Sequence, residues 1–569
     1  MRTSAPGHSP RLTLDRPSLP LAIGAGAIGL IAFGLAWATL LPGLGFWDTG
    51  EFQTVAPLLG TAHPTGFPSY VILGWLASIV LQPFGDPAWR MNLLSAFLGA
   101  GASALSVVLV YQLTRRLWLA IVSGAIFAAI PIVWAISNHA DPHALHLFMV
   151  AVLLVLLVGW ERRAVARSSR SDRWLVAAAV AFAIALGNHT LTVLLAPGIG
   201  LFVLAVAPDL LLRRPRFVAG VFGLTALVTG LLYLELPIRA GLFRAPLVYG
   251  HPETLGGFAY VVLGQQFQGA FTGPLDDLPG KVAALAQLGF DQLGPLVFLV
   301  PLGFMMTVAR RPRYALLTGV GFVITTAFAA TYINADINRY YLGPALMAVT
   351  WIAILAGWFV EQLWRVFGVI GAASAPNDAA AGLLADAALG PRGRPSASAR
   401  QLDGRPAGAP AGAARRLGGP SGVVLVAVIL ELAVSASLLT PSLTALGDRR
   451  AMVDLSDQTT ASAWANTAMA LFAPNAVVIS WWSYSTTLWY AQLIEHQRPD
   501  VWIVDDRTRL DENLGDVSDV IDAQLGHRPV YLVRINADEL AALNARYQLA
   551  TIPMPTEQSI LRVIGRRGQ

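Results

Sequence analysis

Phe46-Trp47-Asp48-Thr49-Gly50-Glu51-Phe52, continued by His63-Pro64-Thr65-Gly66-Phe67-Pro68, decides how this chain is read. The stretch follows the first long apolar run, Leu19 to Leu41, where a chain leaving a membrane turns polar. Its two carboxylates stand three residues apart. In a helix that spacing places Asp48 and Glu51 on one face. The pair suits a general base acting on a hydroxyl, a contribution of ~10²–10⁴ in rate. The same spacing also describes ordinary solvated acids just past a span. In His63 to Pro68, two prolines fix φ and a glycine opens other backbone conformations. Such a turn aims His63 in one direction or serves only as a stiff connector.

Outward from this stretch the chain reads as a membrane protein. Of its 569 residues 55% are hydrophobic and only 13% charged, and the mean hydropathy is +0.58. Soluble domains carry about 25% charged residues, and no soluble core hides this much apolar surface. The bilayer is the expected solvent, crossed once by every ~20 apolar residues in a helix. The formal charge is +5, but the basic residues are nearly all Arg and cluster between apolar runs. That pattern sets topology and does not indicate nucleic-acid binding. The absence of cysteine excludes disulfides, thiolate metal sites and a Cys nucleophile.

Residues 1–18, polar and Pro/Ser-rich with Arg2, Arg11 and Arg16, read as a disordered cytoplasmic tail. Leu19 to Leu41 reads as a first span. Ala36-Trp37-Ala38 mimics a signal-peptide cleavage site, but the apolar run is long for one. Arg115-Arg116, Arg162 to Arg173, Arg213 to Arg216 and Arg310 to Arg313 are basic turns expected on the cytoplasmic side. Between them spans are expected near 91–113, 117–136, 143–160, 174–188, 191–211, 217–236, 291–309, 314–333 and 341–364. Ser69 to Leu81 is short and Pro-flanked, and reads as an interfacial or re-entrant helix. This count places Asp48 to Pro68, Asn138 to His143, Asn188-His189, Pro237 to Asp291 and Asn334 to Tyr340 together on the extracytoplasmic side. Charge near hydrocarbon costs about 2.5–3.5 kcal/mol on insertion scales, so their shared location suggests one site.

The expected organisation is a mainly α, polytopic protein of the cell (inner) membrane. A transmembrane domain covers 19–365, a low-complexity Ala/Gly/Pro/Arg linker 366–420, and a last span 421–442. An extracytoplasmic α/β domain covers 443–569. In it Ala476 to Ser480, Asp500 to Val504, Val530 to Ile535 and Ser559 to Ile564 read as strands, and Thr486 to His496 and Val517 to Leu525 as helices.

Further motifs fall in the shared loops. Asn138-His139-Ala140-Asp141-Pro142-His143 offers two imidazoles and a carboxylate, for metal ligation or as ordinary loop polarity. Gly187-Asn188-His189-Thr190 is a polar tetrad at a span junction, a turn or part of a cavity wall. Arg239 and Arg339 run against the positive-inside bias. Each suits phosphate through its guanidinium fork, or a salt bridge such as Arg339 with Asp336. Trp481-Trp482-Ser483-Tyr484 and Trp489-Tyr490 read as core packing, an acceptor surface or a membrane belt. No P-loop, dinucleotide fingerprint or H-E-x-x-H motif occurs where its mechanism needs it, which argues against an ATP-driven pump.

Phe46 to Phe52 with Ala62 to Pro68 resembles a group of bacterial multi-pass proteins. They are related to the animal transmembrane protein O-mannosyltransferase that modifies plexins and similar receptors, within the GT-C membrane glycosyltransferase superfamily. Leu186-Gly187-Asn188-His189-Thr190-Leu191-Thr192, Leu236-Pro237-Ile238-Arg239-Ala240, Asp336 to Tyr341 and Arg498-Pro499-Asp500-Val501 resemble later segments of that group. His251-Pro252-Glu253-Thr254 departs from it, with His251 where Asp is usual. The resemblance implies a GT-C-like helix bundle with Asp48 as catalytic base and Glu51 supporting it or binding acceptor or metal. It implies a polyprenyl-phosphate sugar donor, an extracytoplasmic acceptor (a protein hydroxyl or a glycan), and an inverted glycoside as product. Arg239 or Arg339 would hold the donor phosphate. His63, His139, Asp141, Asn188, His189, Asp336 and Tyr340 complete the candidate substrate site. A divalent cation, Mg or Mn, is a candidate cofactor without an assigned ligand set. The resemblance fixes neither the sugar, mannose in the animal relative, nor the acceptor. A transporter or flippase of a lipid-linked or small polar solute is the alternative, disfavoured by the lack of a clear internal repeat and by polar residues gathered on one side. A receptor or scaffold using the C-terminal domain is a third.

Overall fold

A computed structural model describes residues 18–373 (except 274 and 335), 420–554 (except 535) and 558–568. Nearly all of the expected tail and linker lie outside the described residues.

Among the described residues, eight helices are long and apolar enough to cross a membrane: Leu19–Trp37, Pro87–Thr114, Pro142–Val165, Pro215–Leu242, Leu278–Arg310, Pro312–Thr331, Ile337–Val366 and Leu425–Thr444. The chain opens with α1 (Leu19–Trp37), α2 (Trp47–Leu58), α3 (Pro68–Val80), α4 (Pro87–Thr114), α5 (Leu117–Ala128), α6 (Pro131–Ala135), α7 (Pro142–Val165) and α8 (Ser171–Asn188). Proline stands at the first turn of α3, α4, α6 and α7, where its missing N–H costs nothing and its fixed φ suits a helix start. α1 packs on α4, α4 on α7 and α7 on α8, so α4 and α7 form the buried spine.

The expected span 117–136 is instead two pieces. α5 ends at Ala128 because Pro131 cannot continue its hydrogen-bond ladder. The expected span 191–211 is a shorter apolar helix, Thr190–Val206, that begins with a 3₁₀ turn. α3 has 13 residues, about 20 Å of rise, short of the ~30 Å hydrocarbon core.

The C-terminal domain is a five-stranded sheet in the order β2-β1-β3-β5-β4, with β1 Val477–Ser480, β2 Trp502–Val504, β3 Val530–Val533, β4 Tyr547–Ile552 and β5 Ile560–Arg566. β1 runs parallel to β2 and β3, while β5 is antiparallel to β3 and β4. β1 and β3 are buried at every position, as expected for strands covered on both faces. β2 is shorter than expected, because Arg498 and the Asn475 N–H tie Asp500 into the preceding turn. β3 stops at Val533, and Ile535 lies outside the described residues. The helix expected over 486–496 runs over Trp482–Trp489 and ends in a π turn, and it packs on α2.

Candidate active site

The first carboxylate stretch is built by close backbone approach. α2 starts directly after a turn whose Gly45 carbonyl would lie 2.4 Å from a Cβ at position 50, so only glycine fits there. Gln53 ties that turn down: its Oε1 accepts from Gly45 N at 2.8 Å and its Nε2 donates to Asn92 Oδ1 at 2.8 Å. This sets Asp48 in the first turn of α2 and Glu51 one turn further on.

The two acids face different partners. Glu51 is fully buried; its Oε1 accepts from His63 N at 2.8 Å and its Oε2 pairs with His63 Nδ1. The turn after His63 closes with Gly66 at φ +83° and Gly66 N donating to His63 O at 2.8 Å, which aims the imidazole at Glu51. Burial alone would lower the His63 pKa, but the Glu51 carboxylate outweighs it and the pKa is raised. Asp48 turns the other way. Its Oδ2 accepts from Arg339 Nη2 at 2.9 Å.

Arg339 collects three carboxylates. Nη2 also donates to Asp336 Oδ2 at 2.8 Å, and Nη1 donates to Asp141 Oδ2 at 3.1 Å. Asp141 is buried as the N-cap of α7, where its Oδ1 accepts from His143 N at 2.7 Å and pairs with His143 Nδ1 at 2.9 Å. Burial would raise the Asp141 pKa, but Arg339 and His143 together hold it well below the usual carboxylate range. His139 stands 3.7 Å from Asp141 and bonds Asn138, and burial lowers its pKa.

These groups border a cavity of about 250 Å³. Asp48, His63, His143, His189, Arg339 and Tyr340 are in its wall, with Phe267, Phe271, Phe328 and Tyr332 as apolar lining. His189 caps the turn after α8, with its Nδ1 accepting from Leu191 N at 3.0 Å. Asn188 stands behind the wall and donates from Nδ2 to Pro142 O at 2.9 Å. Glu51, His139, Asp141 and Asp336 are likewise outside the wall, with Glu51 paired to His63, Asp141 and Asp336 to Arg339, and His139 near Asp141.

Arg239 does not join them. Its Nε and Nη2 donate to the Leu59 and Leu58 carbonyls at 2.9 Å each, so its guanidinium caps the C-terminal end of α2. The expectation that it grips a donor phosphate gains no support from this geometry, in which two of its nitrogens go to backbone carbonyls. The sequence reading gave His143 no role in the substrate site. The Asp-x-His spacing in the 138–143 stretch held the signal for His143.

Asp48, Glu51 and His63 also form the one cluster among the described residues able to offer three metal-ligand atoms, all within 4.8 Å of one another. A dication would be held by these three groups in competition with Arg339, which Asp48 shares with Asp141 and Asp336, and with the His63 pairing to Glu51.

Helix bundle, loop-built cavity and appended α/β domain together define a polytopic membrane protein of the GT-C-like fold. Over nearly its full length it is similar to ArnT from Cupriavidus metallidurans. The undecaprenyl phosphate complex of ArnT superposes with a TM-score of 0.58 at 13% identity, covering 96% of this chain and 98% of that one. Its apo state gives 0.56 at 15% identity, over 95% and 97%. Residues 48–210 match the model of the Protein O-mannosyl-transferase TMEM260 N-terminal domain. The chain is 33% identical over 235 residues to Protein O-mannosyl-transferase TMEM260 of Mus musculus, covering 40% of this chain and 31% of that protein. It is 27% identical over 239 residues to the Dictyostelium discoideum protein of the same name, covering 40% and 29%. The chain thus spans under a third of the length of these curated relatives.

Proposed function

We propose that this protein is a membrane glycosyltransferase that moves a sugar from a polyprenyl-phosphate donor to an acceptor hydroxyl outside the cytoplasm, with inversion at the anomeric carbon. The observation that carries the reading is a carboxylate and a guanidinium, Asp48 and Arg339, side by side in the wall of one cavity. Two likenesses support it. The family model matched over 48–210 and the relatives are named O-mannosyl-transferases, and the protein of similar fold was crystallised with undecaprenyl phosphate.

In the proposed reaction the donor phosphate binds Arg339. The acceptor oxygen attacks the anomeric carbon from the opposite face, and its proton passes to Asp48. The bond from that carbon to the phosphate oxygen breaks, and polyprenyl phosphate leaves on the guanidinium, already ionised. Glu51 holds His63 against the wall, and Tyr340 and His189 shape the sugar subsite. Mannose is the sugar the relatives' names point to, and a Ser or Thr hydroxyl of a protein is the corresponding acceptor. No divalent ion is routed into these steps; were one bound, Asp48, Glu51 and His63 would hold it.

The test is incubation of the purified protein with a panel of polyprenyl-phosphate sugars and a Ser/Thr-rich acceptor peptide. Consumption of one carrier, with a matching mass gain on the peptide, is expected. Transport of an intact lipid-linked sugar without cleavage would replace this reading with a flippase.

A further inference from the structure

The C-terminal domain reaches the edge of the candidate site through Trp482. Its ring stands edge-on to the His63 imidazole, with centroids 5.7 Å apart at 87°, and to the Trp47 ring at 6.4 Å and 67°. Trp47 immediately precedes Asp48, and His63 pairs with Glu51. One indole therefore abuts both halves of the acid pair.

That indole is fixed from behind. Trp482 Nε1 donates to the Tyr249 hydroxyl at 3.2 Å. Tyr249 is 2% exposed and gripped on two sides: the Arg507 guanidinium lies 4.2 Å over its ring, and the Trp489 ring meets it edge-on at 5.8 Å. The adjoining Gly250 N donates to Asp511 Oδ2 at 2.9 Å. Arg507 is buried, and its Nε and Nη2 have no hydrogen-bond partner. The face of Tyr249 and the charge of nearby Asp505 both act on this cation, and a desolvated cation over an aromatic ring is held more firmly than an exposed one. Asp505, whose pKa burial pushes up to about 6, belongs to the same buried edge of the domain.

We propose that Trp482, locked by its hydrogen bond to Tyr249, is a positioning residue for the transfer reaction, setting the Trp47–Asp48 turn against the His63–Glu51 pair and making the C-terminal domain part of the catalytic unit. The proposal rests on reading the cavity as the transfer site. Neither side chain touches the reacting atoms. Orientation is the effect at stake, and a displacement of about 1 Å at a reacting group costs ~10²-fold in rate.

The test uses the full chain in nanodiscs with Trp482→Phe and Tyr249→Phe. The first keeps a ring against His63 and Trp47 but removes the N–H; the second keeps the ring under Arg507 but removes the acceptor oxygen. Each single variant is expected to lower kcat about tenfold while donor KM moves less than about twofold, as loss of orientation without loss of binding requires. The double variant should be no slower than either single, since both delete one bond. A second arm needs no turnover. The carbethoxylation rate of His63 by diethylpyrocarbonate, read by mass spectrometry on its peptide, should rise about threefold in both single variants as the ring loosens. Unchanged kcat and unchanged His63 labelling in both variants would overturn the proposal, as would multiplicative losses in the double variant. Failure of the wild type to consume any polyprenyl-phosphate sugar would remove the proposed function instead, and the labelling arm would still decide whether Tyr249 and Trp482 hold His63.

Discussion

Arg339 Nη2 lies 2.9 Å from Asp48 Oδ2, although the two residues are 291 positions apart. The same nitrogen donates to Asp336, and Nη1 donates to Asp141, so three carboxylates share one guanidinium. In the proposed reaction the donor phosphate competes with these carboxylates for the guanidinium, whose Nε has no hydrogen-bond partner. Asp141 is buried and pinned by His143, which leaves Asp48 and the exposed Asp336 as the groups that yield. On the proposed function, phosphate on Arg339 would release Asp48 to act as the base. Donor binding and base activation are one event on this account.

Asp48→Asn separates the two roles. The amide cannot take the acceptor proton, so transfer should fall by at least ~10². It also competes less for Arg339 than a carboxylate does, so polyprenyl phosphate should bind at least as tightly as to the wild type. Equilibrium binding of polyprenyl phosphate beside initial-rate assays reads both. Full activity in Asp48→Asn would remove the assigned base.

Removing the guanidinium has a structural cost as well. Arg339→Ala leaves the Asp141 carboxylate buried with only His143 and the more distant His139 beside it, and breaking a buried pair costs about 3–5 kcal/mol. Lower thermal stability is expected, with partial recovery in Arg339→Ala/Asp141→Asn because the second change removes the stranded charge. Thermal unfolding of the detergent-solubilised protein measures this. Equal stability of Arg339→Ala and wild type would mean that Asp141 is not an ionised, buried partner.

Arg239 carries the opposite expectation. Its hydrogen bonds go to the Leu58 and Leu59 carbonyls. Arg239→Gln should therefore lower thermal stability, on the order of 1 kcal/mol for each lost carbonyl bond, while donor KM stays within about twofold. A large rise in donor KM at normal stability would restore Arg239 to the phosphate site.

Much of this arrangement was legible because membrane sequences advertise their solvent. The apolar runs marked the helices, and Asp48, Glu51 and His63 stood out at a span exit. The buried run at 477–479 announced a covered strand. What stayed hidden depended on distant packing. Arg239 and Arg339 are both cations at span ends, and only the folded chain separates one that meets carbonyls from one that meets carboxylates. β4 went unread because it is an edge strand with only Tyr547 buried, so it lacks a clear alternation. Trp482 sits in an aromatic cluster whose pattern cannot tell core from site; its contact with His63 spans more than 400 positions.

The His63–Glu51 pair gives a pH signature. The folded pKa of His63 is raised, with Glu51 overcoming the effect of burial. A raised histidine pKa contributes stability that is fully present below the unfolded value of about 6.5 and is lost as pH rises through the folded value. The melting temperature of the wild type should exceed that of His63→Gln by more at pH 6 than at pH 9. A gap that widens toward alkaline pH would reverse the sign and contradict an ionised pair.

Charge balance also decides the expected response to metal removal. Asp48, Glu51 and His63 are close enough to share a cation, but Arg339 and His63 already supply positive charge to both acids. A dication entering there would compete with Arg339 for Asp48; at 4 Å and an effective dielectric of 20 its repulsion from the guanidinium is about 8 kcal/mol, matched by an attraction of the same size to each nearby carboxylate. If the guanidinium takes the donor phosphate unaided, EDTA treatment should change transfer by less than about twofold. Added Mg or Mn should compete with the donor phosphate and raise donor KM. Abolition by EDTA with restoration by Mn alone would show that Arg339 leaves Asp48 in the working enzyme, and that the cation, not the guanidinium, takes the phosphate.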